Sequence, residues 1–191
     1  LPLLSQTQII AHRGYWKTDG SAQNSIAALM KADSIKVYGS EVDLWLSADG
    51  VPMVNHDEKI INNGDTLVVK ETSSQRLREV VLSNGESLPT FEEYLDAFAQ
   101  CSHIKLIVEF KVHRSDSQEN ELAQKVIDMV KERGMEDRVE YISFGQNFIN
   151  VVKKLAPNAP LYYLNGDLAP DAIKSIGISG IDYHMNVIRD N

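Results

Sequence analysis

A chain of 191 residues, 43% of them hydrophobic and 24% charged, can bury one sizeable core and has the balance of a globular protein. Nineteen Lys and Arg against 27 Asp and Glu leave a net charge of −8, which excludes a broad nucleic-acid footprint but not a small anion held by local cations or a metal. A single cysteine, Cys101, excludes an intramolecular disulfide, and no run reaches the roughly 18 apolar residues of a membrane span, so no stable membrane insertion is expected.

Short apolar runs alternate with helical stretches along the chain. The opening "LPLLSQ" reads either as the tail of a removed signal peptide, giving a periplasmic or secreted protein, or as a plain chain boundary, with the cytoplasm as the alternative location. A strand is expected over "QIIAHR" (8–13), and "SIAALMKADSIK" (25–36) has apolar residues at helical spacing. Strands follow at "SEVDLWL" (40–46) and "VPMVNH" (51–56). Residues 57–89 then break the rhythm. They are polar, carry the turn pairs Asn63-Gly64 and Asn84-Gly85, leave room for a small hairpin, and are expected as an insertion over the site within a single domain spanning 1–191.

"TFEEYLDAFAQC" (90–101) opens a helix with a capping box, Thr90 and Glu93, and leads to the strand "IKLIVEFK" (104–111). "ELAQKVIDMVKERG" (121–134) places Leu122, Val126, Ile127 and Val130 on one helical face and ends at Gly134, a residue suited to the C′ position. "VEYISF" (139–144), "PLYYL" (160–164) and "GIDYHM" (180–185) complete seven expected strands, with helices at 147–157 and 169–177 between them. This β-then-α order implies a parallel sheet with crossover helices, closed as a barrel or open and doubly wound.

The polar strand residues decide between the two closures. Residues two apart share a strand face, so Glu41, Asp43 and Trp45 point one way, and Ile107, Glu109 and Lys111 do likewise on their strand. An open sheet would turn both faces toward helices, whereas a barrel offers such residues its mouth. His12 and Arg13 close the first strand and His56 the third, so seven polar residues are expected to converge. Crowded carboxylates need a cation, and an all-oxygen set favours a hard divalent ion, Mg²⁺ or Ca²⁺. The histidines are left for proton transfer, and Arg13 and Lys111 for phosphoryl oxygens. Singly, each residue has an ordinary structural explanation, and His103, His113 and His184 are read in that way.

Taken in order, "HRG", "EVD", "DGVPMVNHD" and "EFK" resemble the glycerophosphodiester phosphodiesterase family, with "LPTFEEYLDAF" and "YISF" extending the likeness over most of the chain. The resemblance implies a TIM (β/α)₈ barrel and metal-dependent hydrolysis of glycerophosphodiesters to glycerol 3-phosphate and an alcohol. It further implies that His12 and His56 are the acid–base pair, that Glu41, Asp43 and Glu109 are metal ligands, and that Arg13 and Lys111 contact phosphate. Which histidine is the base stays open, as does the nucleophile, water or the substrate's own glycerol hydroxyl. The chain departs from the family at Gln23, where an acid is common, while Asn24 is retained and is expected to cap the next helix. It also stops at Asn191, before the family's last strand and helix. The expectation is therefore a barrel lacking those elements, as a fragment or with a neighbouring molecule over the gap. Rival readings are a related barrel acting on (lyso)phospholipids, a non-catalytic glycerophosphodiester-binding barrel, and an inactive fragment.

Overall fold

The computed structural model describes residues 7–182. Six strands run parallel in the order β1 (Ile10–Ala11), β2 (Gly39–Leu46), β6 (Lys105–Phe110), β7 (Val139–Ser143), β8 (Leu161–Tyr163) and β9 (Gly180–Ile181). The helices α1 (Ile26–Ser34), α3 (Phe91–Phe98), α4 (Asp116–Glu132), α5 (Gln146–Leu155) and α6 (Pro170–Ile176) alternate with them. This is a partial TIM barrel. The second half of "GIDYHM", with His184, lies outside the described residues.

The outward faces make the main core. Val42, Leu44 and Leu46 of β2 and Leu106, Val108 and Phe110 of β6 are buried against Leu29, Phe91, Leu95, Leu122 and Val126 of the helices. The inward face is mixed: Ile107, Ile142 and Leu164 form a small apolar layer, with Glu41, Asp43 and Glu109 buried on that side of their strands. The alternation read along "EVDLWL" and "KLIVEFK" is thus the alternation of core and barrel interior.

The segment 51–56 departs from expectation. Its strand β3 (Pro52–Val54) is no barrel strand; it returns antiparallel along β2, pairing Leu44 with Val54 and Leu46 with Pro52. The connection from Leu46 is too short for a parallel crossover, which needs a dozen or more residues. Gly50, at φ +75°, instead allows a tight reversal. Six parallel strands therefore stand among the described residues where seven were expected.

Residues after His56 build their own small structure. Strands β4 (Lys59–Asn62) and β5 (Asp65–Val68) pair around Asn63-Gly64, whose φ values of 52° and 90° fit a type I′ turn. A short helix, α2 (Ser74–Leu77), follows. Val69, Leu77, Val80 and Leu88 pack on Trp45 and Met53 as a second apolar cluster. Trp45 therefore floors this segment rather than the pocket described below, and none of residues 57–89 lines that pocket.

Helix ends follow the sequence chemistry closely. The capping box at Thr90 and Glu93 is formed in both directions. At the end of α4, the Gly134 N–H (φ 61°) bonds to the Lys131 carbonyl and the Met135 N–H to the Val130 carbonyl, a Schellman closure. The α1 cap differs from expectation. Ser25, not Asn24, accepts from the Ala28 N–H, and Asn24 is thereby released for the site.

Candidate active site

Glu41 and Asp43 come from β2 and Glu109 from β6, where the parallel register sets Asp43 beside Glu109 and Glu41 beside Ile107. One oxygen from each of the three carboxylates lies within 4.8 Å of the others, and all three residues are buried. Lys111, two residues beyond Glu109, bridges the group: its Nζ donates to Glu109 Oε1 at 2.8 Å and to Asp43 Oδ1 at 3.1 Å. Asn24 Nδ2 donates to Asp43 Oδ2 at 2.8 Å, and the Asp43 N–H returns a bond to Asn24 Oδ1 at 3.2 Å. Arg13, in the left-handed region at φ 58°, turns its backbone N–H onto Glu41 Oε2 at 2.8 Å. The side chain and backbone of the β1–α1 connection thus grip the acids from behind.

The electrostatics are lopsided. Burial, with the Asp43 and Glu109 charges added, pushes the Glu41 carboxyl well above its ordinary range. Burial raises Glu109 as well, against the pull of Lys111. Lys111 itself loses from burial but is held higher overall by Asp43 and Glu109. Glu41 Oε1 is buried with no hydrogen-bond partner, an expensive condition for a carboxylate. Three buried acids against the Lys111 ammonium and the more distant Arg13 guanidinium, with one Glu41 oxygen left unpartnered, fit a hard divalent cation bound by oxygen. His103 and His113 stand elsewhere, on other partners.

Glu41 and Glu109 open on a pocket of about 470 Å³, whose polar lining they form with His12, His56, Lys111 and Asp182. Its other side is apolar, with Ile10, Ile107, Ile142, Leu164 and the half-exposed Phe144. His12 Nε2 is 3.8 Å from Glu41 Oε2, and burial together with the Arg13 charge lowers the His12 pKa. His56 reaches the wall because β3 doubles back along β2. Its carbonyl accepts from Trp45 Nε1 at 3.1 Å, and its Nδ1 is 2.7 Å from Asp57 Oδ1.

Of the seven residues singled out in the sequence, five line the pocket. Asp43 stands behind them as the hub of the acid group, and the Arg13 guanidinium lies beside Asp43 rather than in the wall. Three supporting contacts go beyond the sequence reading, which named Gln23 only as a departure from the family and Asn24 only as a helix cap: Asp57 on His56, Asn24 on Asp43, and Gln23, whose Oε1 accepts from Arg13 Nη1 at 2.5 Å. Adjacency in "NHD" signalled the first. The other two depend on how a long loop folds, which no periodicity reveals. The ordinary reading of His113 agrees with its contacts: buried, its Nε2 accepts from the Leu46 N–H and its Nδ1 bonds to the Lys111 carbonyl, fastening β2 to β6.

Parallel β/α barrel architecture with an acidic, histidine-bearing pocket at the C-terminal strand ends defines a barrel enzyme for a small polar substrate. The family model for the "Glycerophosphoryl diester phosphodiesterase family" matches residues 12–181, and the chain belongs to that family and so to the phosphodiesterases. A glycerophosphodiester phosphodiesterase of Caldanaerobacter subterraneus is 28% identical over 97% of this chain and 79% of its own length. The crystal structure of a glycerophosphodiester phosphodiesterase from Parabacteroides distasonis is 41% identical, with a TM-score of 0.91 over 96% of this chain and 75% of that one. An Oleispira antarctica phosphodiesterase, solved with the product sn-glycerol-3-phosphate, shares the fold at a TM-score of 0.78 and 23% identity, over 95% of this chain and 76% of that one.

Proposed function

We propose that the protein, acting as one domain, hydrolyses glycerophosphodiesters to glycerol 3-phosphate and an alcohol. The observation that carries this reading is one pocket wall holding two histidines, Lys111, Glu41 and Glu109, with Asp43 completing the acid group behind them. Glu41, Asp43 and Glu109 would hold a divalent cation, Mg²⁺ or Ca²⁺, which when bound supplies positive charge against the phosphoryl oxygens. Lys111 adds a fixed ammonium on the same wall. His12, its pKa lowered, is suited to take the proton of the attacking hydroxyl, whether water's or the substrate's own glycerol group. His56, its Nδ1 engaged by Asp57, keeps Nε2 free to protonate the leaving oxygen.

The test is release of glycerol 3-phosphate from glycerophosphocholine and glycerophosphoethanolamine, with Mg²⁺, with Ca²⁺ and with chelator. His12→Ala and His56→Ala are each expected to lose about 10²–10⁴-fold in kcat with thermal unfolding unchanged. A fully active His56→Ala protein sinks the acid–base assignment, and undiminished turnover in chelator sinks the metal requirement.

A further inference from the structure

Asp182 is the one ionisable residue of the pocket lining that the proposed chemistry does not use. It follows β9, and its N–H bonds to the Tyr163 carbonyl at 3.0 Å. Strand register fixes its direction. Glu109 pairs with Ile142, Ile142 with Tyr162 and Tyr162 with Gly180. Two residues further along each strand the same inward face continues, which sets Lys111, Phe144, Leu164 and Asp182 in one row. All four line the pocket. The row starts at an ammonium bound to the acid group, crosses two apolar side chains and ends at a carboxylate. Phe144 is 47% exposed, and Asp182 is exposed with no ion pair or side-chain hydrogen bond among the described residues.

We propose that Asp182 and Phe144 receive the alcohol arm of the diester, and that the preferred alcohol carries a cationic amine, quaternary or primary. The proposal deepens the phosphodiesterase reading above and rests on it. With the phosphoryl group held at Lys111 and the acid group, one arm of the diester runs along the row toward Asp182. At about 4.8 Å per strand the row spans roughly 14 Å along the wall, and the side chains at its two ends shorten the gap. Its chemistry selects the arm. Phe144 and Leu164, beside Ile107 and Ile142, would strip water from glycerol hydroxyls without replacing its hydrogen bonds. An alkylammonium fits better: its carbon groups suit the apolar wall, the Phe144 ring face attracts the cation, and the unpaired carboxylate supplies the opposite charge. A neutral alcohol gains neither attraction, and an anionic one is repelled.

The test compares glycerophosphocholine with its neutral isostere, the 3,3-dimethylbutyl diester, in wild type, Asp182→Asn and Phe144→Leu, at low and high ionic strength. Wild type is expected to favour the choline diester about five- to twentyfold in kcat/KM. Each substitution should shrink that ratio about two- to fivefold. Salt should lower the ratio in wild type and Phe144→Leu, and much less in Asp182→Asn, where the carboxylate charge is gone. The inhibition constant of glycerol 3-phosphate, which has no alcohol arm, should shift less than about twofold in either variant. A wild type that treats the two diesters alike, or an Asp182→Asn ratio equal to the wild-type ratio, overturns the proposal. So does a loss of glycerol 3-phosphate affinity in Asp182→Asn that matches the loss for the choline diester, since the carboxylate would then serve the glycerol arm. In each of these cases wild-type turnover leaves the phosphodiesterase reading standing. A wild type that cleaves neither diester overturns both.

Discussion

Asp49 shows how one exposed side chain ties two segments together. The turn it occupies sits at the β2–β3 reversal, and its carboxylate accepts from the Ser47 hydroxyl at 2.6 Å and from the Ser74 N–H and hydroxyl at 2.7 Å each. The Ser47 bond, aided by Ser74 and opposed by partial burial, lowers its pKa from the usual 3.8 to about 2. A depressed folded pKa stabilises above the unfolded value and the benefit is lost as pH falls through the folded one. The wild-type urea midpoint is therefore expected to fall more steeply from pH 4 to pH 2 than that of Asp49→Asn. Matching slopes would remove Asp49 as the cause. Cys101 makes the converse case: it is buried, and burial pushes its thiol up to about 11. Native protein at pH 8 should react with a thiol reagent at a rate set by unfolding, with full labelling only in denaturant.

Among the elements, α1 depends on a carboxylate sixty residues away in the chain. Glu86 Oε2 accepts from the Ile26 N–H at 2.9 Å and Oε1 from the Ala27 N–H at 3.0 Å, completing the helix start that Ser25 begins. An anion there also answers the helix dipole. Glu86→Ala is expected to cost about 1–2 kcal/mol by urea unfolding, as for loss of a helix cap. A loss under a few tenths would mean that water replaces it. The helix α4 begins at Asp116, five residues before the hydrophobic pattern that predicted it. Its first turns are polar, and Glu119 is spent on the His113 N–H and Asn147 rather than on an apolar core. The reversal at Gly50 is the other element-level surprise. "VPMVNH" has a strand's composition, and composition carries no direction; only the short connection distinguishes a hairpin from a crossover.

At the scale of the whole molecule, the barrel brings three carboxylates together that the unfolded chain keeps apart, and their mutual repulsion opposes folding. A divalent cation bound there favours the folded state by mass action. At about a hundredfold over its dissociation constant this is worth about 2.7 kcal/mol, or roughly 5–10 °C in Tm for a chain of this size. Thermal melts with Mg²⁺ or Ca²⁺ against chelator check this. Asp43→Asn should abolish the rise, and a shift that survives that substitution would place the ion elsewhere.

What the sequence determined by itself was face and type. Period-two alternation in "EVDLWL" and "KLIVEFK" separated residues bound for the helical layer from those bound for the barrel interior, because a strand has only two sides. The same reasoning collected Glu41, Asp43, Glu109 and Lys111 without coordinates. Tertiary structure alone decided depth, direction and support. It returned β3 along β2 to carry His56 into the pocket wall, set Trp45 beneath the 57–89 segment, and folded the β1–α1 loop so that Gln23 and Asn24 grip Arg13 and Asp43. Those outcomes depend on positive-φ turns and on contacts between residues distant in the chain, and neither leaves a periodic trace in the order of the amino acids.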